Sequence, residues 1–134
     1  MDGRTASERR GTGFLQLAIG LQTAAIFFQA VTAGLLLSSP GSEAVHGVGA
    51  RVMYGASMLY VLAAVLAWRP GGGPPRRILH ASVFLVLASV QVVLGIAHVP
   101  AVHVPLGILM FGLSLLDLGQ VLSTRLPGRA GARA

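Results

Sequence analysis

Four long apolar runs dominate the chain, at approximately 14–37, 46–68, 78–97 and 101–122. The polar residues collect in the gaps and tails, as in "RPGGGPPRR" at 69–77. Each run approaches the ~20 residues with which a helix crosses a hydrocarbon core about 30 Å thick. Lipid offers no partners to backbone groups, so segments that cross it are helices bonded within themselves. The first run outlasts the roughly 7–15-residue core of a secretory signal peptide, and is read as a membrane span. All the gaps are short, which makes consecutive helices antiparallel neighbours. The expected architecture is all-α: an integral membrane, up-down-up-down four-helix bundle. It forms a single membrane domain over 1–134 with short tails at 1–13 and 123–134.

Composition strengthens this picture. The 134 residues are 54% hydrophobic and only 10% charged, with a mean hydropathy of +0.74. A soluble domain carries about a quarter charged residues. Cysteine is absent, which excludes disulfides, thiolate metal sites and cysteine nucleophiles. A net charge of +6 and an isoelectric point near 11.6 would suit nucleic acid, but the distribution of the charge argues otherwise. Arg4, Arg9 and Arg10 precede the first run; Arg69, Arg76 and Arg77 sit between the second and third; Arg125, Arg129 and Arg133 follow the fourth. The other two gaps contain no arginine. The positive-inside rule then places both termini and the "RPGGGPPRR" loop in the cytoplasm, with Trp68 as an interfacial anchor. The expected setting is a multi-pass protein of the cell membrane whose partner is the lipid bilayer, not nucleic acid.

That topology gives depths to the histidines. His46 opens the second helix and His103 the fourth, and both helices descend from the outer face. Facing side chains on diagonal helices of a bundle are the usual way such bundles hold metals and haem. Below His46 the same helical face carries Ala50, Met53, Ser57, Tyr60 and Ala64; below His103 it carries Gly107, Met110, Ser114 and Asp117. Stripes of small and flexible residues leave room for a flat cofactor. They equally let membrane helices pack closely.

Other polar residues have two readings each. Glu43, three residues before His46, is a candidate polar partner for the imidazole, or else a solvated acid of the loop. Arg51 lies about 140° around the helix from His46. It is a candidate for a haem propionate, or it snorkels to the headgroups. His80 and Asp117 share the inner half, as a proton-linked pair or a polar clamp between helices. Gln22 and Gln29 share one face of the first helix and are placed to bond across the bundle to Gln91. "HVPAVHVPLG" at 98–107 contains two histidines of unequal standing. His98 closes the third helix at the rim, whereas His103 starts the return. A helix beginning near Pro100 puts His103 in its first turn with Pro105 inside the helix; one beginning at Pro105 leaves His103 outside. "RPGGGPPRR" lacks the strand–loop–helix context of a phosphate-binding loop. No Ser-His-Asp arrangement is supported by spacing, and the outer loops lack the carboxylates of a calcium cage.

A four-helix unit with histidines opening helices 2 and 4, the first within Glu-x-x-His (Glu43 and His46), resembles one half of a haem A synthase. The second histidine, His103, follows "QVVLG" at 91–95. The layout spans nearly the whole chain, although few specific positions carry it. Gly47 stands where that family has arginine, the cysteine pair of its first outer loop is missing, and there is no second half. The resemblance implies haem at His46 and His103, possible pairing of two copies as a homodimer, and, if the chain is an enzyme at all, haem-modifying or oxidoreductase chemistry.

The leading expectation is a small four-span, cytochrome b-like protein. It would hold haem b near the outer face, with His46 and His103 on the iron, for electron transfer or haem handling rather than catalysis. Two alternatives belong to other classes: a cofactor-free accessory or assembly subunit of a larger respiratory or other membrane complex, and a small carrier or lipid-binding protein that uses the Asp117–His80 region.

Overall fold

The computed structural model describes residues 6–39, 41–69 and 72–123. Four helices account for nearly all of them: α1 (Ala6–Ser38), α2 (Glu43–Trp68), α3 (Arg76–Ile96) and α4 (Pro100–Ser123). Each is long and apolar enough to cross a membrane. Even the shortest, α3 with 21 residues, spans about 31 Å at the α-helical rise, the thickness of a hydrocarbon core. Arg4, Arg125, Arg129 and Arg133, part of the expected topology signal, lie outside the described residues, as does the side chain of Arg9.

The helices form a ring. α1 packs on α2 and α4, and α3 packs on the same two, whereas α2 and α4 face each other diagonally without close backbone approach. Early residues of α1 meet late residues of α4: Gln16 Nε2 donates to the Val121 carbonyl at 3.3 Å, and Thr23 Oγ1 lies 2.6 Å from Ser114 Oγ. Late α1 meets early α2 through Thr32 and His46.

The distribution of side chains is compatible with a bundle that crosses a membrane. Leu17, Leu37, Leu79, Val86, Ile108 and Leu116 point outward and are more than half exposed. The interior instead holds alanines (Ala18, Ala56, Ala63, Ala64, Ala81, Ala88) together with Gln22, Thr23, Thr32, Ser57, Gln91, Ser114 and Asp117. Water would not drive such an arrangement. In lipid, helices associate through close packing of small residues and interhelical hydrogen bonds.

The turns set where the functional side chains begin. Between α2 and α3, Gly73 N–H donates to the Ala67 carbonyl at 2.8 Å. A Cβ on Gly73 would sit 2.7 Å from that oxygen, so this return admits only glycine. At the end of α3, His98 takes a left-handed conformation (φ 55°). Val99 N–H reaches the Leu94 carbonyl at 3.0 Å and His98 N–H reaches Gly95 at 3.2 Å. This is the double closure that usually follows a glycine. Helix α4 then starts at Pro100, so His103 lies in its first turn and Pro105 is internal. Of the two sequence alternatives, the structure has the one that fixes His103 on the helical face.

Candidate functional site

Two polar clusters occupy opposite ends of the interior, and the same two helical stripes build both. At one end, His46 and His103 meet across the diagonal with ring centroids 6.1 Å apart and planes inclined at 69°. Fourteen residues further along each helix, the Tyr60 hydroxyl donates to Asp117 Oδ2. Both contacts join residues 57 apart in sequence. Met53 with Met110 and Ser57 with Ser114 keep the same offset between them, and all four are buried. Four turns of helix, about 21 Å, separate the two ends.

The hydrogen bonds at the histidine end determine which ring nitrogens carry protons. His103 Nδ1 lies 3.1 Å from the Gln91 carbonyl oxygen. A carbonyl only accepts, so Nδ1 bears the hydrogen and neutral His103 presents its lone pair at Nε2. His46 Nδ1 lies 3.0 Å from Thr32 Oγ1. The single proton of that hydroxyl has two acceptors, the backbone oxygen and Oε1 of Gln29, both at 3.1 Å. With it donated to Gln29, the hydroxyl accepts Nδ1–H from His46, whose lone pair is also at Nε2. No hydrogen bond among the described residues reaches either Nε2. Both imidazoles are only partly buried, so among the described residues the buried acceptor without a donor at this end is Gln91 Oε1.

Close helix approach makes the arrangement possible. Gln29 lies directly over Gly49 of α2, where any Cβ would overlap its carboxamide oxygen. Gln91 lies over Gly107 of α4, 2.9 Å from the position of a Cβ. Gly95 leaves the His103 ring an ordinary contact at 3.5 Å. The two hairpins therefore repeat one device: a glutamine of the first helix covers a glycine of the second, and the first helix supplies the acceptor for the histidine.

At the other end every group has a partner. Asp117 Oδ1 accepts from Arg77 Nη1 at 2.6 Å, with side-chain exposures of 8% and 11%. His80 Nδ1 stands 3.7 Å from the same oxygen but is 44% exposed, at the rim. The expected His80–Asp117 neighbourhood is present, yet its dominant partners are Arg77 and Tyr60. Sequence reasoning assigned Arg77 to the topology signal. The spacing 77, 81, 84, 88, 91 could have revealed it, because Ala81, Phe84, Ala88 and Gln91 of that face are all buried. Thr32 was missed as well, although it follows Gln29 by one helical turn.

Other candidates lie apart. Glu43 is exposed, and no hydrogen bond joins it to His46, whose partner is Thr32. Arg51 is exposed and turned away from the histidine pair. Gln22 does not bond Gln91; the Oε1 atoms of both are buried without hydrogen bonds. Among the described residues no group of three or more His, Cys, Asp or Glu side chains converges, so a metal held only by such a cluster has no seat there. No family model, curated protein or solved structure matches the chain. The site is read from its own geometry.

Proposed function

We propose that the chain is a four-span membrane protein that holds haem b between His46 and His103 and serves electron transfer or haem handling. The carrying observation is the pair of facing imidazoles, each held within the chain through Nδ1, with no hydrogen bond to either Nε2 among the described residues. Two imidazoles that pack for their own sake fall at about 4.5–7 Å, so the separation alone decides little. The hydrogen bonds do more. With both hydrogens on Nδ1, the facing rings cannot bond to each other, but they can share a Lewis acid.

The residues fit the group. His46 and His103 would hold it through Nε2, since imidazoles are common haem ligands. In this reading Gln91 and Thr32 fix each ring through Nδ1, the arrangement that orients metal-bound histidines generally. A haem with two imidazole ligands supplies one-electron chemistry and leaves no open position. The protein's part is to orient the rings and exclude water. The arginine distribution adds the topology: up-down-up-down, both termini cytoplasmic, and the histidine end near the outer face.

Protein purified in detergent from haem-replete cells is expected to show a Soret band and a sharp α-band on reduction. His46→Ala and His103→Ala are each expected to abolish the low-spin spectrum. A colourless wild-type protein would overturn the reading in favour of a cofactor-free accessory subunit.

A further inference from the structure

The two histidines are secured by acceptors of different kinds, and we infer that this makes His103 the permanent ligand and His46 the exchangeable one, so that a small neutral ligand such as carbon monoxide enters on the His46 side. The inference rests on the haem reading and deepens it.

The acceptor of His103 is a backbone carbonyl, Gln91 O, at 3.1 Å. A carbonyl has no proton to give. Whatever its side-chain neighbours do, His103 keeps its hydrogen on Nδ1 and its lone pair on Nε2. A Cβ at Gly95 of α3, the helix that supplies the carbonyl, would meet the ring at an ordinary 3.5 Å.

The acceptor of His46 is a hydroxyl, which both donates and accepts. Thr32 accepts from Nδ1 only while its own proton is held by Gln29. Rotation about Cβ–Oγ1 aims that proton at Nδ1 instead. The imidazole hydrogen must then reside on Nε2, and a protonated Nε2 cannot ligate. The change is a tautomeric shift: one hydrogen leaves Nδ1, one arrives at Nε2, and net charge is unaltered. Ligation by His46 therefore depends on a latch in which Thr32 keeps its proton on Gln29, at the backbone oxygen or the carboxamide oxygen, each 3.1 Å away. Gly49 bears on the second of these, because any side chain there displaces the carboxamide, while the backbone acceptor stays. When His46 is released, one dative bond breaks and one forms to the incoming ligand, with no electron transferred.

Two measurements test the latch. In the haem-loaded, reduced protein, carbon monoxide binding should be slow in wild type, at least tenfold faster in Thr32→Val and faster by a smaller factor in Gly49→Ala, with Thr32→Ser close to wild type. Gly49→Ala touches neither ring, which separates the latch from damage at the ligand. His46→Ala should retain haem and bind carbon monoxide rapidly, whereas His103→Ala should lose haem. In haem-free protein, ¹⁵N spectra of labelled histidines should place the hydrogen on Nδ1 for both rings, and Thr32→Val should shift His46 alone. Rates unmoved by both latch variants, or retention of haem by His103→Ala with its loss in His46→Ala, would overturn the proposal. If wild type takes up no haem, the functional reading fails on its own. The latch is then decided by the haem-free spectra, where an unchanged His46 in Thr32→Val refutes it.

Discussion

The two ends of the bundle interior start from the same scaffold and finish in opposite chemistry. Helices α2 and α4 present their stripes in one register, so that His46 faces His103 and Tyr60 faces Asp117. At the aspartate end the charges are satisfied within the chain: Arg77 supplies the counter-charge and Tyr60 a second donor. At the histidine end each Nδ1 has a partner, and among the described residues no hydrogen bond reaches either Nε2. An unpaired buried charge is expensive in lipid, whereas a neutral lone pair costs far less. A buried imidazole therefore goes without a partner more cheaply than a buried carboxylate. The aspartate end is a clamp joining α2, α3 and α4; the histidine end is a pair of facing imidazoles tied to the chain through Nδ1.

The largest effect should come from breaking that clamp on one side. Arg77→Leu leaves the Asp117 carboxylate buried with only Tyr60 and the rim imidazole nearby, and removal of one partner of a buried pair costs about 3–5 kcal/mol. Thermal or denaturant unfolding in detergent should show a loss of that order. The double variant Arg77→Leu/Asp117→Leu should recover much of it, because no uncompensated charge remains. Both variants, if they fold, should leave the absorption spectrum of the proposed haem unchanged. A spectral change in the double variant would mean that the two ends are coupled and that the comparison drawn above is too simple.

Next come the two glutamine–glycine crossings. Adding a methyl group to a closely packed contact costs about 1–3 kcal/mol. Gly49→Ala should cost more than Gly107→Ala. The first methyl overlaps the Gln29 carboxamide, whereas the second meets the end of the Gln91 side chain at 2.9 Å. Unfolding of the two variants side by side checks the order. The reverse order would show that the α3–α4 crossing is the tighter of the two.

Much of this was legible in the chain. The apolar runs give the four helices, and the seven-residue step from His46 to Met53 and from His103 to Met110 gives matching stripes. What stayed hidden depends on how one helix meets another. Arg77 looks like its neighbour Arg76, a basic residue after a loop, and only the packing of α3 turns one inward and leaves the other exposed. Thr32 lies 14 residues before His46, and its role follows from the closeness of α1 to α2 at Gly49. Glu43, near His46 in sequence, was the more visible choice, yet an exposed carboxylate in the first turn of α2 has no reason to turn toward a half-buried ring.

A smaller effect concerns the middle of the bundle, between the two ends. Thr23 and Ser114 share a buried hydrogen bond of 2.6 Å, and such bonds between membrane helices are worth about 0.6 kcal/mol on average. Thr23→Val with Ser114→Ala, measured singly and together, should give a coupling energy of that size. A coupling of several kcal/mol would make the middle layer, and not the aspartate clamp, the main lock between helices.

An effect of similar size, and of opposite sign, distinguishes the two histidines of "HVPAVHVPLG". His103 is tied to Gln91, while His98 is exposed and holds a left-handed backbone at the end of α3. A non-glycine residue pays about 1–2 kcal/mol for that conformation. Glycine avoids the strain but loses part of the gain to a more flexible unfolded chain. His98→Gly should therefore stabilise the protein modestly, by roughly 0.5–1 kcal/mol in unfolding experiments, with the visible spectrum unaltered. Loss of the spectrum in His98→Gly would place the functional imidazole at the turn and remove the reason for assigning it to the first turn of α4.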